Sequence, residues 1–255
     1  MLKIAIALRL IILGMLEPQA TVPNLSWKPN DMSRPQPPTV AAAICRTGFT
    51  HVPAPGDAIT LFDGRDLSEW IGSRDRPVRW KVEDGHIEIV PGTGSLRTRL
   101  SFGDCQLHLE FATPDPPSGS GQDRGNSGIK FMGLYEIQVL DSWQNLTYAD
   151  GVAGAVYSEY PPLVNVSCPP GRWQTYDVVF HAPRFSADGK LLRAATVTVL
   201  YNGVLVQDNV TITGPTGVGR SGRPQYRAHA EHLPLFLQEH NGPVRFRNIW
   251  IRELT

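Results

Sequence analysis

Neither sign of charge is in surplus: 24 Lys and Arg are matched by 24 Asp and Glu, for a formal net charge of zero. A chain that grips nucleic acid or anionic lipid through phosphates needs a basic excess, so neither partner is expected. Cysteine is scarce and odd in number, with Cys45, Cys105 and Cys168 the whole set. A disulfide-dense scaffold is thereby excluded; one bridge plus one free thiol stays open, and the pair is not set by sequence. Cys105 begins an alternating apolar segment and reads as a small core residue. No Gly-rich phosphate loop and no G-x-S-x-G elbow occurs, which removes the common nucleotide and serine-hydrolase sites. No His, Cys or Asp cluster has clear metal-ligand spacing. Helical periodicity sustained over four turns is also missing, which leaves an all-β class.

The one long apolar run stands at the start. Lys3 precedes residues 4–16, which are apolar apart from Arg9 and Gly14. The run is too short for a confident span, so no integral membrane domain is expected. It reads instead as a signal peptide over residues 1–20, which implies a secreted or periplasmic location. Residues 21–47 are rich in Pro, Ser, Thr and Asn without a period, and read as a Pro-rich linker or disordered arm. Residues 48–255 show no internal repeat and no second linker, and are expected to form one domain.

What is plentiful is turn chemistry: 24 Gly and 22 Pro. Asp84-Gly85 between residues 80 and 90, and Asn202-Gly203 between residues 195 and 207, are hairpin signals, because both dipeptides tolerate positive φ. Residues 105–111 alternate cleanly, with Leu107, Leu109 and Phe111 on one face. About a dozen such segments predict a two-sheet antiparallel β-sandwich of jelly-roll type.

The polar positions that interrupt this pattern are the candidate site. In residues 135–141, Glu136 and Gln138 share one strand face, with Ile137 and Val139 on the other. Both side chains can hold the hydroxyl pairs of a sugar. Asp141, five residues from Glu136, falls on the opposite face unless a bulge intervenes. Gln238 and His240 share a face if their strand continues, Glu239 faces away, and the histidine is a candidate base or metal ligand. Arg124 and Asn126 stand on the approach to Ser127-Gly128, where an arginine could polarise a carbonyl oxygen. Asp63-Gly64 with Trp70 reads as a turn and a core aromatic. Asn248, in the closing strand, reads as a backbone-bonding residue.

Ordered blocks carry a resemblance. Phe62-Asp63-Gly64-Arg65-Asp66-Leu67 through Trp70, Trp80-Lys81-Val82-Glu83-Asp84-Gly85, Asn126-Ser127-Gly128, residues 135–141, Gly154 to Tyr157, Leu237 to His240 and Val244 to Ile249 follow one another as in the 3-keto-disaccharide hydrolase domain family, which the chain resembles from about residue 49 to 254. The resemblance implies a concanavalin A-like lectin/glucanase fold. It also implies cleavage of 3-keto-glycosides or 3-keto-disaccharides, by elimination through an enolate and rehydration or by direct hydrolysis. Such a reaction calls for a general base, a donor for the enolate and an acid for the leaving oxygen. Glu136 and His240 are the expected catalytic pair, with Arg124, Asn126, Gln138, Asp141, Gln238 and Glu239 around a keto-sugar. The alternative is a non-catalytic carbohydrate-binding module, with Trp143 as an aromatic platform. No cofactor is evident, a divalent cation on Glu136 and His240 stays open, and so does the oligomeric state.

Overall fold

The computed structural model describes residues 26–47, 52–217 and 224–254; the expected signal peptide, 1–20, lies outside them. Its strands in chain order are β1 (Ile59–Phe62), β2 (Trp70–Gly72), β3 (Lys81–Glu83), β4 (His86–Glu88) and β5 (Leu96–Phe102). Then come β6 (Cys105–Ala112), β7 (Ser127–Phe131), β8 (Tyr135–Val139), β9 (Gln174–His181) and β10 (Arg184–Phe185). The last are β11 (Leu191–Arg193), β12 (Thr196–Tyr201), β13 (Val204–Thr211), β14 (Leu233–Leu237) and β15 (Arg245–Glu253). The larger sheet runs β13-β12-β9-β6-β15-β4-β3, with β1 also paired to β15; the smaller runs β2-β5-β14-β7-β8. The result is an all-β sandwich of two antiparallel sheets, as the alternating segments predict. Among the described residues no helix is long and apolar enough to cross a membrane.

Turn chemistry sets the hairpins. Asp84 and Gly85 take φ of 48° and 74° between β3 and β4, and Asn202 and Gly203 take 53° and 76° between β12 and β13. Positive φ at both central residues gives a turn whose twist matches that of the flanking strands. The core then follows from pleating: Leu107, Leu109 and Phe111 of β6 meet Ile129, Phe131, Tyr135, Ile137 and Val139 of β7 and β8. Phe131 stacks on Phe180 of the larger sheet with ring centroids 4.7 Å apart. Each such fully buried aromatic contributes on the order of 2–3 kcal/mol of burial energy. Tyr176, fully buried on β9, donates its hydroxyl to the Gln138 carbonyl at 2.8 Å. That bond ties the larger sheet to β8.

β8 is an edge strand, and its free edge is covered. Gln138 N–H donates to the Ala155 carbonyl, Gly154 N–H to the Gln138 carbonyl and Tyr157 N–H to the Glu136 carbonyl, at 3.0, 3.0 and 3.1 Å. Covering an edge satisfies its backbone and blocks pairing with another chain. It also sets Tyr157 beside the outer face of β8.

The arm over residues 26–47 departs from the expectation of a linker or disordered segment. Arg34 donates to the Glu159 carbonyl at 3.0 Å and lies 3.7 Å from the fully buried Asp150 carboxylate. Asn30 bonds both Asp150 and Ser158, and Gln36 donates to the Thr147 carbonyl. Val40 N–H donates to the Asn165 carbonyl and Asn165 N–H to the Pro38 carbonyl, both at 2.9 Å, in a parallel bridge between Thr39 and Asn165. A disulfide joins Cys45 to Cys168, 123 residues apart, and leaves Cys105 buried as the free thiol. Composition suggests disorder when a segment cannot bury enough apolar surface by itself. Here polar groups of the body and one covalent bond supply the order instead.

On the outer face of the larger sheet a buried ionic layer alternates with the core residues. His108 and Glu110 are both 0 % exposed. His108 Nδ1 bonds Asp177 at 2.7 Å, and Glu110 accepts from Asn248 at 2.9 Å and from Arg247 Nε. Burial by itself would lower His108, but the Asp177 and Glu110 carboxylates override it and push the imidazole up to about 9. A histidine whose folded value is raised stabilises the fold fully below its unfolded value of about 6.5, and that contribution is lost as pH rises through about 9. The melting temperature of the wild type is therefore expected to fall toward that of His108→Gln between pH 6.5 and 9.5. A gap between the two that stays constant over that window would refute the ionic reading.

Candidate active site

β7 and β8 form the floor of the site, joined by a turn at Met132 and Gly133 with φ of 57° and 70°. Their register sets Lys130 opposite Glu136 and Gly128 opposite Gln138. Since Ile129, Ile137 and Val139 face the core, all four of these residues face outward on the smaller sheet. Lys130 Nζ lies 3.2 Å from Glu136 Oε2, the spacing of a cross-strand ion pair. Lys130 is absent from the residues expected from sequence, although the alternation in residues 127–131 places it on one face with Gly128.

Glu136 is 3 % exposed, and burial pushes its carboxyl above the usual carboxylate range, with Lys130 and His240 pulling it back in part. An ionised carboxylate removed from water is disfavoured unless its partners replace the lost hydration. The net upward shift means that they do so incompletely. The proton affinity of the group is thus raised, which suits a general acid or base.

Gly128 makes room for this carboxylate. A Cβ added there would lie 2.0 Å from Glu136 Oε1 and 3.1 Å from Gln238 Oε1. The two side chains therefore share the space above one glycine. Gln238 N–H donates to the Gly128 carbonyl at 2.9 Å, although β14 itself ends at Leu237. The parity expected for Gln238 and His240 on a continuing strand thus has no strand to act through. His240 nonetheless sits close enough to Glu136 to affect its ionisation.

A carboxamide cluster lines one side. Gln138 Nε2 lies 3.1 Å from Gln122 Oε1 and 3.3 Å from Asn126 Oδ1. Asn126 Nδ2 donates to the Gln122 carbonyl at 2.7 Å, and Gln122 Nε2 to the Gly151 carbonyl at 2.9 Å. Asn126 and Gln138 are buried, so their orientations are fixed before any ligand arrives. The other side is phenolic. Tyr148 and Tyr157 share a 2.7 Å hydroxyl–hydroxyl bond. Burial, then the bond to Tyr157, then Asp150 and Glu136 raise the Tyr148 phenol, which keeps it a proton donor. The arm's bonds at Thr147, Asp150, Ser158 and Glu159 bracket both tyrosines in sequence.

Other expected residues already have partners of their own. Arg124 Nε donates to Asp141 Oδ2 at 2.7 Å, and its Nη2 also bonds the Trp143 carbonyl. Asp141 is 2 % exposed and accepts from Trp143 N–H at 3.1 Å, so the pair braces a loop. Glu239 accepts from the N–H groups of Gly92 and Asn241 at 3.2 and 2.9 Å, a turn-holding role away from Gly128. The backbone then turns at Asn241, with a φ of 54°. Residues missed by sequence reasoning are Lys130, Gln122, Tyr148 and Tyr157. Gln122 and Tyr148 reach the site from loops for which no period exists to read. Among the described residues no group of three His, Cys, Asp or Glu side chains converges as a metal site.

A solved structure from Parabacteroides distasonis, of a protein described provisionally as a glycosyl hydrolase, is 39 % identical to the chain. The match covers 85 % of this chain and all of that one, with a TM-score of 0.75. A second structure from the same organism, described in the same terms, is 21 % identical over 78 % of this chain and 94 % of its own, with a TM-score of 0.55. The second likeness speaks to the fold. Among curated proteins no match was found. The model of the 3-keto-alpha-glucoside-1,2-lyase-like domain matches residues 57–252, which takes in both sheets and every residue around Gly128, and the chain belongs to that family.

Proposed function

We propose that this chain is a carbohydrate-active enzyme that cleaves glycosides oxidised to a ketone at sugar carbon 3. The observation that carries the reading is the Glu136 carboxyl, buried on the outward face of β8 and 3.2 Å from the Lys130 ammonium. The family description supports the keto-sugar, and the description of the 39 % identical relative supports action on a glycoside.

A ketone at carbon 3 acidifies the proton on carbon 2. In the proposed route Glu136 takes that proton and the resulting enolate is stabilised by the Lys130 charge. The double bond forms between carbons 1 and 2 as the bond from carbon 1 to the leaving oxygen breaks, and His240 gives that oxygen its proton. Water then adds its hydroxyl to carbon 1 and gives its remaining proton to His240, while Glu136 returns a proton to carbon 2. A base of raised proton affinity suits both halves, because it accepts a proton in the first and, after exchange with solvent, returns one in the second. Asn126, Gln138 and Gln238 hold ring hydroxyls. The route as written requires no cofactor, and a secreted or periplasmic setting, with an extracellular glycoside as substrate, belongs to the same proposal.

The test is incubation of the purified protein with 3-keto-trehalose in D₂O. Release of keto-sugar carrying deuterium at carbon 2, above the uncatalysed exchange, is expected. Release without deuterium would replace elimination by direct hydrolysis. Saccharide binding without turnover would favour a binding module, and cleavage of unoxidised trehalose would overturn the keto-sugar assignment.

A further inference from the structure

The ionic layer on the outer face of the larger sheet underlies a cavity that the proposed reaction does not use. It encloses about 430 Å³ and is bounded by Thr60, Phe62, Asp63, Arg247, Asn248 and Trp250 among others. His108 and Glu110 beneath it alternate with Leu107 and Phe111, whereas Glu136 alternates with Tyr135 and Ile137 on the other sheet. The whole core therefore stands between the two places.

Three observations mark this cavity as built for a ligand. Trp250 is 3 % exposed, yet its indole Nε1–H has no hydrogen-bond partner. A shielded donor left unpaired costs about 1–3 kcal/mol. The β15 register shifts between Arg247 and Trp250, and Asn248 takes a φ of 45°, so a bulge turns Asn248 out of the ladder. Asn248 is then fixed by Nδ2 bonds to Glu110 and to the Val52 carbonyl at 2.9 and 3.0 Å. Finally, the charges are balanced locally: Arg247 on Glu110 and over the Trp173 ring at 4.1 Å, His108 on Asp177, Asp63 beside Arg65 at 3.5 Å.

A neutral polar wall joined to an aromatic one suits a ring with apolar faces and hydroxyl edges, not a phosphate or a carboxylate. The volume lies in the range of small-molecule sites and admits one or two sugar rings. We infer that this cavity is a second binding site, for a neutral pyranose, on the opposite face of the sandwich from Glu136. It does not depend on the reaction assigned to Glu136.

The indole N–H of Trp250 supplies the readout. In ¹⁵N-tryptophan-labelled protein its resonance is identified by its loss in Trp250→Phe. Titration with methyl glucoside or trehalose is expected to move that resonance saturably, and to do so equally in Gly128→Ala protein, in which the Glu136 site is obstructed. Thr60→Tyr, a change at an exposed position on the cavity rim, is expected to weaken the response at least tenfold while the protein stays folded. This second variant serves if Trp250→Phe fails to fold. No saturable shift, a shift untouched by Thr60→Tyr, or a response confined to phosphate or glucuronate would each overturn the inference.

Discussion

Replacing Glu136 by Gln is expected to slow release of keto-sugar by about 10²–10⁴-fold, the usual worth of a positioned general base. The substitution keeps shape and hydrogen-bonding capacity but removes the ability to take a proton. Stability is expected to move the other way. Burial raises the folded pKa of Glu136 in spite of Lys130 and His240, so the ionised carboxylate is a net cost to the native state. Its contribution is favourable only below the unfolded value, near 4.3, and is lost as pH rises through the raised folded value. Glu136→Gln should therefore melt at or above the wild-type temperature at pH 7 to 8, with the advantage shrinking toward pH 4. Loss of turnover together with that pH-dependent gain separates a working carboxylate from a structural one. A variant that melts lower at every pH and turns over normally would remove Glu136 from the reaction.

Gly128→Ala is expected to be nearly as damaging although it leaves every polar group in place. The new Cβ would lie 2.0 Å from Glu136 Oε1, and contacts under 3.0 Å do not persist. The backbone has little freedom to yield. Gly128 sits in β7 between β8 and β14, paired with Gln138 and accepting from Gln238 N–H. The carboxylate must move instead, by roughly 1 Å or more, and a displacement of that size at a reacting group costs about 10²-fold. Overpacking should cost about 1–3 kcal/mol of stability, leaving a folded protein whose circular dichroism matches wild type. In the Gly128→Ala, Glu136→Gln double variant the losses should not multiply, because both act through one carboxylate. Multiplicative losses would mean that Gly128 matters for something other than the place of Glu136.

The floor of the site and the main hairpins are legible in the residue pattern. Strict alternation in residues 135–139 places Glu136 and Gln138 on one face, since a pleated strand offers no other arrangement. Asp84-Gly85 and Asn202-Gly203 announce their turns because few other dipeptides accept that backbone. Lys130 is legible only in part: its face follows from Gly128, but its partner depends on the register between β7 and β8. The Met132-Gly133 turn that sets the register carries a weak signal. Tyr148 and Gln122 arrive from irregular segments, where no period relates position to direction. Arg124 and Asp141 carry the right chemistry for a sugar site, yet at 2.7 Å they satisfy each other. Composition cannot distinguish a charge that waits for a ligand from one that already has a neighbour.

The arm bears on what counts as the folding unit. The family match begins at residue 57, twelve residues after Cys45. A chain begun at that boundary would lack Asn30, Arg34 and Gln36, which meet the segment carrying Tyr148 and Tyr157, and would leave Cys168 without its sulfur partner. The stretch that evolution shares across the family and the stretch that must be present for these loops to hold their places are thus different lengths. A nick in the segment between them would go unnoticed until the sample was reduced.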